Sequence, residues 1–307
     1  MKAVRLHHFN TTPAIEEVPV PEIAADQVLI RVEAASLNPL DTLVASGVAR
    51  QFFEMRLPLT LGTDLAGTIE RVGSGVSQWQ TGDRVIAWTD AGLGGALAEF
   101  AAVPAACCVP LPPALSAIEG AALPTAGITA WHALFSSAGL KAAETVLIHA
   151  GAGGVGSFAI QFARHAGAHV IATASGDGVE LARRLGAETV IDYKMQDFTT
   201  SIPPVDVVLD LVGGETQTRS YQVLRQSGRL VSTAMPPDDT LAREYGVTAT
   251  MFYAKPYSSG LQALATQIAH QGVRVVIDRH VPLDTFDDAW NRLLSRQARG
   301  KITVALD

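Results

Sequence analysis

The stretch IHAGAGGVGSFA, Ile148 to Ala159, places four glycines within the six residues 151–156. A β-branched, apolar run, Thr145–Ala150, leads into it, and a helix-like run, Val155–His165, leads out. A second strand-like run, His169–Thr173, follows within about 30 residues of the first, as a βαβ unit requires. No other feature constrains the fold as much. A strand that turns through glycines straight into a helix presents unpaired N–H groups and a positive dipole end at the turn. Gly151, Gly153 and Gly156 fit G-x-G-x-x-G, so the turn reads as a pyrophosphate cradle. On this reading Gly151 and Gly153 allow backbone angles and closeness that a Cβ would block. Ala150, Gly154 and Val155 complete the turn, and Gly156 lets helix and strand pack closely. The plain alternative is a tight βα turn with no ligand.

The rest of the C-terminal half supports the first reading. Strand-like runs recur at Thr189–Ile191, Asp206–Leu211, Arg229–Thr233 and Val247–Phe252. Helix-like runs alternate with them, including Val179–Leu185 and Gly214–Gln226, and glycines 167, 186 and 228 stand where helices should stop. Such alternation predicts a doubly wound parallel sheet. The N-terminal ~115 residues read differently, as short strands between Gly and Pro turns: Val28–Val32, Gly67–Val72 and Arg84–Ala87. VPLPPALS, residues 109–116, is a proline-rich joint. SAIEGAALPTAGITAWHALFSSAG after it reads as two short helices. The chain end reads strand, helix, strand, with Leu283, Phe286, Ala289, Trp290, Leu293 and Leu294 on one helical face, and Trp290 in a core. The expected class is α/β, a β-rich barrel-like domain plus a Rossmann domain. The expected boundaries are 1–118 with 272–307 for the first and 119–271 for the second.

Composition narrows the function classes. The chain has 307 residues, is 48% hydrophobic and carries a net charge of −7. An acidic chain without a Lys/Arg block argues against nucleic acid and anionic membranes as partners. No uninterrupted apolar run reaches a membrane span, and the N-terminus has no apolar signal core. The two cysteines, Cys107 and Cys108, are adjacent. That suits neither a strain-free disulfide nor a metal centre, and points to a reducing, cytoplasmic setting.

The end of the second strand bears on which nucleotide the turn holds. NAD-binding units usually place an acid there to grip the ribose hydroxyls. Here Thr173, Ala174 and Ser175 stand at the tip. Without the acid, a 2′-phosphate meets no repulsion, and Ser175, Tyr193 and Lys194 are placed to meet it. This favours NADPH over NADH. Asp177 is the counter-indication, unless it caps the next helix.

ETVLIHAGAGGVGSFAIQFAR resembles the signature of the zinc-independent quinone oxidoreductases, the zeta-crystallin-like branch of the medium-chain dehydrogenase/reductases. Its Ala-x-x-Gly-x-x-Gly loop is Ala150, Gly153 and Gly156, with Gln161 and Arg164 on the helix beyond. SLNPLDTLVASG, LPLTLGTDLAGTIERVGSGV, GALAEFAAVP, AALPTAGITAWHAL and GKITVAL resemble further segments of the family, in order along nearly the whole chain. The resemblance implies a GroES-like catalytic domain, a homodimer and cofactor contacts from Val212-Gly213 and Ala234-Met235. It also implies metal-free hydride transfer from NADPH to a quinone or other conjugated carbonyl. An alkenal, enone or enoyl-thioester reductase on the same fold is the alternative, as is a non-catalytic NADPH-binding sensor or structural protein. Leu43 and Phe100 stand where members often carry tyrosine, which leaves the substrate open. Gly178 and Val179 stand near a place that is often basic.

Two sets of residues complete the expectation. The zinc branch carries Gly-His-Glu where this chain has Gly62-Thr63-Asp64, and it carries a four-cysteine lobe that is missing here. Threonine is a poor zinc ligand, so no metal is expected. The chain also lacks the Tyr-x-x-x-Lys of short-chain reductases and the G-x-S-x-G of serine hydrolases. Asn38 and Asp41 are the candidate catalytic residues. The Asn38 amide can donate to a substrate carbonyl without titrating, and Asp41 can orient it; both also suit a local turn before a helix. Thr129 is a candidate for the nicotinamide amide or ribose; Phe252, a candidate cofactor contact, and Tyr253, at the end of the sixth strand, suit a wall of the cleft or of a dimer interface.

Overall fold

The computed structural model describes residues 1–255 and 258–306. Along the chain come β1 (Lys2–Leu6), β2 (Ala14–Glu17), β3 (Gln27–Leu37), α1 (Pro39–Ala45), β4 (Leu59–Thr60), β5 (Asp64–Val72), β6 (Arg84–Trp88), β7 (Phe100–Pro104) and β8 (Cys108–Pro110). Two helices follow, α2 (Ala117–Ala121) and α3 (Pro124–Trp131). Then strands and helices alternate: β9 (Thr145–Ile148), α4 (Gly154–His165), β10 (His169–Ala174), α5 (Asp177–Leu185), β11 (Thr189–Asp192), α6 (Phe198–Ser201), β12 (Val205–Asp210), α7 (Gly214–Ser220), β13 (Leu224–Ser232), α8 (Asp239–Glu244) and β14 (Thr248–Met251). The chain closes with α9 (Ser258–Gln271), β15 (Ile277–Pro282), α10 (Phe286–Leu294) and β16 (Lys301–Ala305).

These elements form two compact units. One comprises Met1–Thr125, Lys255–Gly272 and Ile277–Asp307, the other Ala126–Ala254 and Val273–Val276. The division differs from the expected 271/272 boundary because α9 packs against β8. Leu261, Leu264, Ala265 and Ile268 of α9 are buried at helical spacing.

The first unit is GroES-like. Its seven-stranded sheet runs β15-β16-β3-β5-β6-β8, with β7 also on β3, beside a three-stranded sheet β2-β1-β4. The eleven-residue β3 is the spine. It pairs with β5 along one edge, and with β7 and then β16 along the other. Register shifts near Ile30 and Ala34 let so long a strand bend. Inside lie Leu6, Ile30, Leu65 and Ile69 together with Phe286 and Trp290 of α10. Trp290 is thus core, as its spacing predicts, and it stacks on Phe286 at 5.8 Å.

The second unit is a parallel sheet in the order β11-β10-β9-β12-β13-β14. The chain starts at the centre, works outward to one side, then crosses to the other; this is the dinucleotide-binding order. β9 and β12 are covered on both faces, which is why they read as continuous apolar runs. Helix α7 stops at Ser220, well before the expected Gln226, because Tyr221 and Val223 turn inward and β13 starts at Leu224. Gly228 therefore lies inside β13 and ends no helix, whereas Gly167 and Gly186, at φ 77° and 113°, do follow α4 and α5. Helix α3 runs on into a wide π-type turn, His132–Ser137.

Candidate functional site

The glycine turn lies at the carboxyl end of the central strand β9, where the sheet order reverses. Gly156 packs closest. A Cβ there would lie 2.3 Å from the Ala150 carbonyl oxygen and 2.7 Å from Gly151 Cα, both backbone atoms. The G-x-G-x-x-G pattern leads one to expect unusual backbone angles at Gly151 and Gly153. The residue that adopts one is Ala150, at φ 51°. Gly151 instead serves closeness, since its Cβ would meet Ala172 Cβ at 2.8 Å. The first-turn N–H groups of Gly154, Val155 and Gly156 have no carbonyl partner within the helix, so the twelve-residue α4 points donors and a positive end at the turn.

A buried hydrogen-bond chain fixes the turn from behind. The Ala150 N–H donates to Thr173 Oγ1 at 3.2 Å, and Thr173 Oγ1 lies 3.1 Å from His149 Nδ1. His149 Nε2 lies 2.9 Å from Ser220 Oγ, which donates to the Thr216 carbonyl. Ser220 spends its proton on that carbonyl, so His149 must donate from Nε2 and accept at Nδ1. This is the neutral tautomer, and burial agrees, lowering the His149 pKa to about 4 against a small opposing pull from Asp210. His149 was overlooked in the sequence, although a histidine closing an apolar strand is itself a signal. The Thr173 hydroxyl is engaged inside the sheet.

At the end of β10, Ser175 Oγ donates to Tyr193 Oη at 2.9 Å. The structure thus joins two expected cofactor residues from different strands, and Tyr193 is 56% exposed. Asp177, the counter-indication, is the first residue of α5. On the other side of β9, Val212-Gly213 follow β12 and Ala234-Met235 follow β13. Thr129 is buried in α3. Phe252, just past β14, stacks on His132 at 5.8 Å.

The first unit holds a second polar centre. Asn38 immediately precedes α1 and is 2% exposed. Its N–H donates to Asp41 Oδ2 at 2.7 Å, its Nδ2 donates to Asp64 Oδ2 at 3.1 Å, and its Oδ1 accepts from Lys301 Nζ. Lys301 also donates to the Leu37 carbonyl and lies 3.8 Å from Asp64. Asp64 accepts further from Ser36, Thr63 and both the N–H and hydroxyl of Thr125. A fully buried lysine is costly, and burial lowers its pKa although Asp64 and Asp41 oppose the shift. Asp41 is pushed up to about 7, chiefly by burial. Lys301 and Asp64 had no assigned role in the sequence reading. A lysine opening the apolar run KITVAL was the available hint. Leu43 lies exposed on α1, and Phe100 is half-buried at the start of β7.

This centre does not suit zinc. Thr63 stands where the zinc branch carries histidine, and it spends its hydroxyl on Asp64. Both Asp64 oxygens are taken, and the Lys301 ammonium already supplies the local positive charge. Among the described residues no group of three His, Cys, Asp or Glu is placed to hold a metal ion, and no helix is long and apolar enough to cross a membrane.

Comparison with known proteins agrees with this architecture. Residues 24–113 match the alcohol dehydrogenase GroES-like domain, and residues 185–304 match the family described as zinc-binding dehydrogenase. A chloroplastic quinone-oxidoreductase homolog of Spinacia oleracea is 33% identical over 305 residues, covering 94% of this chain and 92% of that one. The quinone oxidoreductase structure from Coxiella burnetii superposes with a TM-score of 0.92 at 32% identity, covering 100% of this chain and 99% of that one. The Escherichia coli quinone oxidoreductase, solved in complex with NADPH, superposes with a TM-score of 0.88 at 26% identity, covering 99% and 100%. The chain belongs to the quinone oxidoreductase branch of the medium-chain dehydrogenase/reductase superfamily.

Proposed function

We propose that this protein is an NADPH-dependent, zinc-independent reductase of quinones or other conjugated carbonyls. The observation that carries the reading is the Gly151–Gly156 turn at the N-terminus of α4, flanked at the end of β10 by the Ser175–Tyr193 pair instead of an acid. The first-turn N–H groups of Gly154, Val155 and Gly156 would hold the pyrophosphate. Ser175, Tyr193 and the neighbouring Lys194 would meet the 2′-phosphate. Val212-Gly213 and Ala234-Met235 would line the nicotinamide half, with Thr129 and Phe252 as further contacts. NADPH bound there supplies hydride.

The chain's own contribution is orientation and charge stabilisation. As hydride reaches a conjugated carbonyl, negative charge develops on the substrate oxygen. Asn38 is the proposed donor to that oxygen. Lys301, donating to Asn38 Oδ1, polarises the amide and makes its N–H a stronger donor. Asp64 and Asp41 hold the amide and its backbone in place. A donor of this kind lowers a barrier by roughly 3 kcal/mol. The product anion is basic enough to take its proton from water.

Titration of the protein with NADPH and NADH, followed by turnover with a panel of quinones and enones, tests the reading. NADPH should bind more tightly, and at least one acceptor class should consume it. Tighter NADH binding would overturn the assignment from Ser175 and Tyr193. Cofactor binding without consumption by any acceptor would favour a sensor or structural role.

A further inference from the structure

Asp210, the last residue of β12, is fully buried and touches two loops at once. Its Oδ1 accepts from the N–H groups of Val212 and Gly213 at 3.0 and 2.9 Å. Its Oδ2 accepts from Gln217 Nε2 at 3.0 Å and Ser232 Oγ at 2.8 Å. Ser232 ends β13 and accepts in turn from the N–H groups of Ala234 and Met235 at 3.2 and 3.3 Å. Gln217 also donates to the Met235 carbonyl, and the Gly214 N–H donates to Met235 Sδ. One carboxylate therefore gathers the loops after β12 and β13 into a single platform. Both of its oxygens are spent on donors of the protein itself, so it acts through the groups it holds.

The platform has a distinctive upper face. Val212 and Met235 are 50% and 42% exposed, although both are large and apolar. Met235 lies over Gly213, the residue next to Val212, since a Cβ on Gly213 would meet Met235 Cγ and Sδ at 3.1 Å. Gly213 adopts φ 77°, which directs the backbone into the carboxylate below. Paired apolar side chains above a rigid polar base suit the face of a flat ring. In the sheet order, β12 and β13 lie on the opposite side of β9 from β10, where the adenosine ribose belongs. The ring in question is then the nicotinamide.

We propose that Asp210 is a positioning residue for the nicotinamide half of the cofactor: through Val212-Gly213 directly, and through Ser232 to Ala234-Met235, it sets the platform on which the ring rests. The inference rests on the cofactor reading given above. It assigns a role to a buried acid that binds no ligand itself.

Asp210→Asn and Ser232→Ala in the full-length protein test it. Asparagine puts a donor against donors, whereas the serine variant removes one hydroxyl and keeps the carboxylate should Asp210→Asn fail to fold. Each is titrated with NADPH and with adenosine 2′,5′-bisphosphate, which carries the 2′-phosphate but no nicotinamide half. Both variants should bind NADPH about tenfold more weakly while keeping wild-type affinity for the bisphosphate, and kcat should fall. Equal weakening of both ligands would mean a merely structural carboxylate, and unchanged NADPH binding and kcat would mean no positioning role; either overturns the proposal. If the wild type binds NADPH no better than the bisphosphate, this inference fails while the nucleotide site stands. If the wild type binds neither, the cofactor reading fails first.

Discussion

Replacing Asp41 by asparagine should change how stability depends on pH, and the size of the change follows from the site. Asp41 is 2% exposed. Burial raises its pKa from 3.8 to about 7; Asp64 adds repulsion, while the N–H groups of Asn38 and Gly62 and the charge of Lys301 pull the other way. An acid with a higher pKa in the folded than in the unfolded chain binds more protons when folded between those two values. Its contribution is therefore fully present below about pH 4, and it is lost as pH rises through 7. The shift of roughly three units at about 1.4 kcal/mol each gives ~4 kcal/mol in all, of which about 3 kcal/mol falls between pH 5 and pH 8. Asparagine keeps an oxygen to accept the Asn38 N–H but does not titrate. Urea midpoints of wild type and Asp41→Asn, measured across this range at fixed ionic strength, isolate the group because other titrations are common to both. The variant should gain on the wild type steadily from pH 5 to pH 8. Parallel curves would refute the reasoning, because they would mean that Asp41 is as ionised in the fold as in water.

Three further outcomes follow from the same geometry. Gly156→Ala drives a Cβ into the Ala150 carbonyl and Gly151 backbone, so NADPH binding should be lost and the thermal midpoint should fall, while Gly153→Ala, whose Cβ meets only the Ala150 oxygen at 3.3 Å, should lower the thermal midpoint far less. Lys301→Met leaves Asp64 buried without its counter-charge and should cost about 3–5 kcal/mol in urea unfolding, much of it recovered in the Lys301→Met/Asp64→Asn double variant; an additive double variant would show that the pair is not coupled. Asn38→Ala should lower kcat by about 100-fold with NADPH affinity unchanged, and full turnover would return Asn38 to a local role before α1.

The dinucleotide-binding half was legible because its signals are local: strand, glycine turn and helix follow one another within one βαβ unit, and each central strand is apolar on both faces. The buried helical stripe around Trp290 was legible for the same reason. What escaped depends on partners distant in sequence. Lys301 meets Asn38 and Asp64 only because β16 pairs with β3. Asp210 meets Ser232 only through the pairing of β12 with β13. The end of α7 also escaped, since burial of Tyr221 outweighs a helix-compatible stretch that would run on to Gln226. The glycine motif pointed to unusual backbone angles at Gly151 and Gly153, whereas the positive φ falls on Ala150, whose N–H is held by Thr173 Oγ1, a partner distant in sequence.

The central claim, metal-free hydride delivery from NADPH, is tested most directly by turnover of chelator-treated protein with a simple quinone, using NADPH deuterated in turn on each face of the nicotinamide C4. The account predicts that the chelator leaves the rate unchanged and that deuterium on one face, and only one, slows consumption. Loss of turnover on chelation, or cofactor that binds and is never consumed, would contradict it.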